Sequence, residues 1–388
     1  MRVPAPLYQI ETTLAQHLPM RPAQIRGLAL WIYGTLLAHS ACQSAVLTAL
    51  SLAGSSHALR QRLREWLYDG AHKAAPCRTQ VEVERCFAPL LRWILTWWRG
   101  HELALAVDAT TCRASVTVLA VSVLYRGCAI PVAWAVLPGN RPGPWLPALL
   151  GLLDQLHPAV PARFTVLVLA DRGLWSPRLW AHIRALGWHP LLRVQKRTGV
   201  RREGQPPCTA RDLVRPGQVW IGRVRLGRRQ LGVTLIVVWR PGQAEPCAVV
   251  TDLAPERVGA NWYALRMWTE LGFRALKGLG WQWQRSRRCD PRRVARHWLV
   301  LALSSLWTLA HGTRCEDAQR AGVAPARLRA PVALEACGGR RRTSVLRRGL
   351  QQLSRLLARG GPWRCLWLQP EPWPQPPPDL TIFVFVES

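Results

Sequence analysis

The run FTVLVLA at residues 164–170 constrains this chain most. It carries no charge, closes on five consecutive aliphatic residues and is followed at once by Asp171. A strand of that composition has no face to offer water, so it reads as the buried interior strand of a sheet with helices packed on it. Its surroundings agree. Three β-rich runs precede it, at 103–109, 115–125 and 130–137, with tight connections at Arg126–Gly127 and Pro138–Gly139. Links that short predict an antiparallel meander. Helical patterns at 144–156 and 176–186 flank the apolar run, and 189–194 reads as a fifth strand.

Three antiparallel strands, a helix, a strand parallel to the first, a helix and a strand is the order of a ribonuclease-H-like α/β core. A stretch of roughly 65 residues then interrupts that order. It has strand patterns at 218–226, 232–239 and 246–252 and the arginines Arg197, Arg201, Arg202, Arg211, Arg215, Arg223, Arg225, Arg228 and Arg229. We read 197–256 as an inserted β subdomain with one basic face, inside a core domain spanning 99–310. Residues 1–98 read as helical, with apolar residues at helical spacing in 25–38, 43–52, 58–66 and 83–98. They are either a small DNA-binding region or a helical cover for the core. Residues 311–388 read as a basic helical region, with Arg340–Arg342, Arg347, Arg348 and Arg355, ending in the proline-rich QPEPWPQPPPDL.

The chain has 388 residues, a hydrophobic fraction of 49% and 21 tryptophans, ample for a folded core. Its formal charge is +30, with 52 Lys and Arg against 22 Asp and Glu. Only Lys73, Lys196 and Lys277 are lysines, the arginine preference expected of a GC-rich genome. That preference accounts for arginine in place of lysine but not for the excess of cations over acids. A polyanion, nucleic acid first, is the expected partner. The eleven cysteines include no CxxC pair, which argues against a zinc site or a disulfide framework and for buried thiols in a reducing compartment. The first residues lack the apolar run of a signal peptide, and the apolar helix at 298–310 is too short to span a bilayer. We expect a cytoplasmic protein.

Asp108 ends the apolar run LALAVD and Asp171 ends FTVLVLAD. In a ribonuclease-H-like sheet the first and fourth strands are neighbours, so the two carboxylates would lie side by side. Such a pair repels unless a cation sits between them, and hard oxygen donors suit Mg²⁺. Either aspartate alone would read as a turn or helix N-cap residue. A third acid lies in WYALRMWTELGFRALK. At about 100° per residue, Tyr263, Arg266, Glu270 and Lys277 point within a stripe roughly 60° wide on one helix, whose stop is Gly278 and Gly280. A surface pair between Arg266 and Glu270 would explain two of the four. It leaves Tyr263 and Lys277 unexplained, and a lysine is conspicuous in a chain so committed to arginine.

The spacing Y-x2-R-x3-E-x6-K, met at Tyr263, Arg266, Glu270 and Lys277, resembles the signature of bacterial DDE transposases of the insertion-sequence-four group. AVDAT and LADRG then match the family's two aspartates at Asp108 and Asp171, and Arg193 in LLRVQK matches a position that in relatives approaches the DNA backbone. The resemblance covers roughly 95–310. It implies that Asp108, Asp171 and Glu270 are catalytic and hold two Mg²⁺ ions, with Mn²⁺ able to substitute, for hydrolysis at the element ends and strand transfer by the freed 3′-OH. Tyr263, Arg266 and Lys277 would bind DNA near the cleaved end, with Arg193 beside them. It further implies double-stranded DNA as partner, a homodimer that pairs two ends, and a nucleoid-associated bacterial protein away from the membrane. Relatives that pass through a hairpin stack a flipped base on an aromatic in the insertion. The nearest position here is Cys247, with Trp239 and Trp262 as neighbouring aromatics. Three other readings remain open: a domesticated DNA-binding regulator, a basic RNA-binding protein, and a nuclease of the same fold that cuts without joining.

Overall fold

The computed structural model describes residues 4–51, 56–73, 79–112, 115–139, 145–325, 327–328, 341–359, 367–375 and 380–385. The chain divides into two compact units. One holds Met1–Gly100, Ala109–Ala162 and Trp268–Glu371, and the other His101–Asp108, Arg163–Met267 and Pro372–Ser388. Five helices open the chain: α1 (Ala5–His17), α2 (Pro22–Ala38), α3 (Gln43–Ser51), α4 (Ser56–Trp66) and α5 (Phe87–Thr96). Strands β1 (Glu102–Cys112), β2 (Val116–Tyr125) and β3 (Cys128–Pro138) follow, then α6 (Trp145–Leu156), β4 (Thr165–Ala170), α7 (Pro177–Ala185) and β5 (His189–Val194). Five more strands come next: β6 (Gly199–Arg201), β7 (Cys208–Thr209), β8 (Gln218–Leu226), β9 (Leu231–Trp239) and β10 (Cys247–Thr251). The remainder is α8 (Met267–Arg274), α9 (Pro291–Arg320), α10 (Val345–Ala358) and β11 (Thr381–Phe385). The architecture is mixed α/β.

The second unit is built on one sheet in the order β1-β4-β5-β10-β9-β8-β6-β7, with β11 also on β8. β1 and β4 are parallel, in register from Glu102↔Thr165 to Val107↔Ala170. β5 continues the parallel run, with Ala170 opposite Leu192. Every residue of β4 except Thr165 is buried, as its composition requires. α7 connects β4 to β5. Ser176 caps it by accepting from the Leu179 amide at 3.1 Å, Pro177 opens it, and Leu179, Trp180 and Ile183 form its buried face. The strands of the 197–256 segment do not stand apart from this sheet. β10 pairs antiparallel with β5, opposing Val249 to Arg193, and β9 and β8 extend the sheet outward. Along the outer half of β8, Arg223 and Arg225 are exposed while Val224 and Leu226 are buried, the period-two alternation that turns a charged row to one face.

β11 was not legible as part of the sheet. It adds in parallel to β8, and Phe385 stacks on Trp220 with centroids 5.5 Å apart. The β-branched and aromatic composition of TIFVF was the available signal, masked by the proline-rich stretch before it.

In the first unit, β2 and β3 form the expected hairpin. Arg126 (φ 44°) and Gly127 (φ 78°) both have positive φ, as a two-residue turn matched to strand twist requires. A bulge falls where Pro131 interrupts β3, since proline has no amide for the ladder. α5, α6 and α9 all pack on β3. Trp134 donates to the Ala295 carbonyl at 3.0 Å, so α9 is tied to the hairpin through one indole.

α9 runs unbroken through residue 310 to Arg320, with Asp290 as its N-cap and Pro291 in its first turn. It is buried nearly all round from Val294 to Thr313, the mark of a helix at the centre of a unit. Its partner α10 approaches very closely. A Cβ added at Gly312 would lie 2.0 Å from the Val345 carbonyl oxygen, and one at Gly349 1.8 Å from that of Thr308. Among the described residues no helix is long and apolar enough to cross a membrane. Cys86, Cys112 and Cys128 are buried free thiols, while Cys77, Cys337, Cys365 and Arg340 lie outside the described residues.

Candidate active site

Asp108 and Asp171 each follow the last paired residues of two adjacent parallel strands, Val107 and Ala170. Their proximity is therefore a consequence of register. The expectation that β1 ends at Asp108 needs correction: the strand runs on to Cys112. β-branched Thr110 and Thr111 sustain the extended backbone, and only the pairing with β4 stops at Val107.

A single guanidinium spans the two carboxylates. Arg266 Nη2 donates to Asp108 Oδ2 at 3.0 Å and lies 3.7 Å from Asp171 Oδ2. Arg193 Nη1 is 3.4 Å from the other oxygen of Asp171. Tyr263 donates its hydroxyl to the Ala170 carbonyl at 3.2 Å, pinning the end of β4 immediately before Asp171. Burial pushes the Tyr263 phenol well above its usual range, so this hydroxyl stays protonated and remains a donor. Four of the expected residues (Asp108, Asp171, Arg193 and Arg266) thus meet through charge, and Tyr263 buttresses them through the backbone.

Two carboxylates that share one cation are hard oxygen donors of the kind Mg²⁺ prefers. The pair fits such an ion, with Arg266 supplying the positive charge in this structure. Among the described residues no group of three His, Cys, Asp or Glu side chains is arranged to hold a metal.

Glu270 and Lys277 belong to the first unit. Glu270 is half-buried on α8, and that helix is seated by Gly272, where an added Cβ would lie 2.8 Å from Ala129 Cβ and 3.1 Å from its amide nitrogen. The expectation of one uniform α-helix through Tyr263, Arg266, Glu270 and Lys277 does not hold. Residues Trp262–Arg266 form a 3₁₀ turn, Met267–Arg274 are α-helical and Ala275–Leu279 form a π turn. Three residues per turn still stacks Arg266 over Tyr263. The π turn arises because the amides of Gly280 and Trp281 both reach the Ala275 carbonyl, at 3.0 and 2.9 Å. Gly280 permits that closure, since a Cβ there would sit 2.7 Å from the same oxygen. Lys277 rides on this turn, half-buried; the helical path ends at Gly280, while Gly278, the other expected stop, lies inside the π turn.

Three residues beside the aspartates escaped the sequence reading. Glu245, in the loop between β9 and β10, pairs with Lys196 and has Arg172 at 3.8 Å and Arg193 at 4.0 Å. The Lys196 hydrogen bond and charge hold the Glu245 carboxyl below its usual range. The rarity of lysine was the one signal for Lys196; Glu245 gave none. Of the aromatics near the insertion, Trp262 packs edge-on against Trp373 at 4.6 Å. Trp239 is half-buried, donates to the Gln243 carbonyl at 2.9 Å and carries the Arg211 guanidinium 5.5 Å from its ring centre. Cys247 is half-buried opposite Val238, its thiol pushed up by burial.

Residues 131–307 match the family described as the transposase DDE domain. The stretch includes Asp171 and Glu270 and begins after Asp108. No curated protein matches the chain. Among solved structures the chain is similar to a piggyBac transposase synaptic complex with hairpin DNA, at 10% identity and a TM-score of 0.40, over 90% of this chain and 76% of that one. The family match over 131–307 supports a DDE transposase.

Proposed function

We propose that this chain is a DDE transposase of the insertion-sequence-four type that cleaves the ends of its element and joins the 3′-OH ends to target DNA. The observation that carries the proposal is the placement of Asp108 and Asp171 side by side, each just past the last paired residues of β1 and β4, bridged by Arg266. Two carboxylates held that way repel strongly unless a cation is present, and a fold keeps such a pair where it serves chemistry. Asp108 and Asp171, with Glu270 as third carboxylate by resemblance, would hold divalent metal, most simply Mg²⁺. The metal would supply Lewis-acid activation of the attacking and leaving oxygens.

The remaining roles fall to the chain's own residues. Tyr263 holds the end of β4, and with it Asp171, through the Ala170 carbonyl. Arg266 neutralises the aspartates in the DNA-free chain and exchanges them for a phosphate near the cleaved end when DNA binds. Arg193 adds charge beside Asp171, and Lys277 holds the terminal strand. The exposed arginines of β8 and its neighbours contribute salt-dependent attraction to duplex backbone. Two element ends must be paired before joining, so we expect a homodimer in the DNA complex.

Strand transfer with Mg²⁺ on the element's own ends tests this reading, comparing the wild type with Asp108→Ala, Asp171→Ala and Glu270→Ala. Each variant is expected to lose both cleavage and joining by about three orders of magnitude or more while still binding ends. Undiminished cleavage in any one removes that residue from the catalytic set. Cutting without joining by the wild type would identify a nuclease, and binding without cutting a regulator.

A further inference from the structure

Beside Asp171, three cations converge on one acid for which the catalytic reading has no use. Lys196 pairs with Glu245 Oε2, while Arg172 Nη1 and Arg193 Nη2 lie 3.8 and 4.0 Å from Oε1. The cations come from the end of β4, from β5 and from the segment just after it; the acid comes from the distant loop between β9 and β10. Arg193 is shared with Asp171, so three positive charges face two carboxylates, and the cations are in excess. Such an excess is suited to a larger anion.

We infer that Arg172, Arg193 and Lys196 form a seat for a DNA backbone phosphate and that Glu245 fills it as an internal stand-in until DNA arrives. The inference rests on the transposase reading and deepens it by adding a phosphate subsite next to the aspartates. A carboxylate and a phosphodiester each present two oxygens that share one negative charge, so one can replace the other on the same donors. Arg193 links the seat to the reaction centre, with one nitrogen toward Glu245 and another 3.4 Å from Asp171. Lys196 is one of three lysines in the whole chain, and its compact ammonium on a flexible stem adds a point charge for a phosphate beside the two guanidinium forks.

The occupant is built to leave. The Glu245 side chain is 36% exposed and its partners are 28% (Lys196), 27% (Arg193) and 57% (Arg172) exposed, so the pairs are screened and weak. The base of the loop is anchored by the Trp239 indole on the Gln243 carbonyl, and Gly242 takes the positive φ of 77° that its turn requires. Release of Glu245 therefore needs only a side-chain rotation.

Fluorescence anisotropy with a fluorescein-labelled blunt duplex of arbitrary sequence, in EDTA and at one fixed salt concentration, tests the assignment. Glu245→Gln should bind roughly three- to ten-fold more tightly than the wild type, because the phosphate no longer competes with a resident anion. Lys196→Met should bind more weakly by a similar factor, and combining the two should abolish most of the gain. Glu203→Gln, which removes an exposed acid from the same unit, controls for net charge and should leave affinity unchanged. Wild-type binding with no gain in Glu245→Gln, or an equal gain in Glu203→Gln, overturns the seat while sparing the transposase reading. Failure of every variant to bind DNA overturns both.

Discussion

Arg266 decides the electrostatics of the two aspartates. Its guanidinium is 14% exposed and Asp108 is 15% exposed, so the pair is partly withdrawn from water. Removing one member of such a pair leaves a charge without its partner. Arg266→Ala should therefore cost about 1–3 kcal/mol in EDTA, less than a fully buried pair because solvent still screens it. Millimolar Mg²⁺ should recover more of the lost melting temperature in this variant than it adds to the wild type. Thermal melts of both proteins with EDTA and with Mg²⁺ check this, and equal shifts would count against a shared cation site. Tyr263→Phe removes one hydroxyl bond to the Ala170 carbonyl and should cost roughly 1 kcal/mol, read as a lower urea midpoint.

Glycines and one buried ionic network govern how the elements of the first unit dock. Gly272→Ala puts a methyl group against Ala129 on β3, and relief requires α8 to shift and carry Glu270 with it. We expect about 1–3 kcal/mol of destabilisation from overpacking, together with a fall in cleavage larger than the stability loss explains. Denaturant titration and single-turnover cleavage on the same preparation separate the two effects. The network joins the hairpin turn, α9 and the segments around Arg341 and Glu371. Arg126 Nη1 donates at 2.9 Å to both Glu316 and Asp317, and Arg341 Nε donates to Glu316 at 2.8 Å.

Burial pushes the Glu316 carboxyl up, but the Arg341 hydrogen bond and the charges of Arg341, Arg126 and Arg320 more than reverse this and leave it below its usual range. A carboxyl whose folded value is lowered contributes its full stabilisation above the unfolded value near 4.3 and loses it as pH falls through the lower folded value. The wild type should therefore lose stability on acidification over that window, and Glu316→Gln should flatten the dependence while lowering stability at neutral pH by about 3–5 kcal/mol. Urea midpoints across pH 3–7 test both parts.

For the molecule as a whole, the charge of +30 is the dominant property, and the sheet of the second unit gives part of it a direction. Arg223 and Arg225 project from alternate positions of β8 to the same exposed face. Replacing both by Ala should weaken binding to arbitrary duplex and lower the slope of log K against log salt by about 2, since each phosphate contact contributes about 0.9. A slope unchanged from wild type would place the DNA track elsewhere. Not every arginine belongs to that track. Arg126 and Arg296 are buried, the latter bonded to Asp69 at 2.6 Å and to the carbonyls of Leu67 and Val81, so they hold structure.

Period and composition were sufficient for the strands at 189–194 and 218–226, the two-residue turn at Arg126–Gly127 and the helix stop at Gly280, because backbone sterics and burial act within a few residues. Those local rules also marked Asp108, Asp171 and Arg266 as candidates. They could not show that β10 joins β5, that β11 returns to β8, or that Arg266 reaches across to the aspartates of two strands. Nor could they reveal Glu245, which sits in a loop without any motif and acquires meaning only from three cations brought to it by other segments. Strand pairing and charge convergence join residues far apart in the chain, and only the folded arrangement sets those distances.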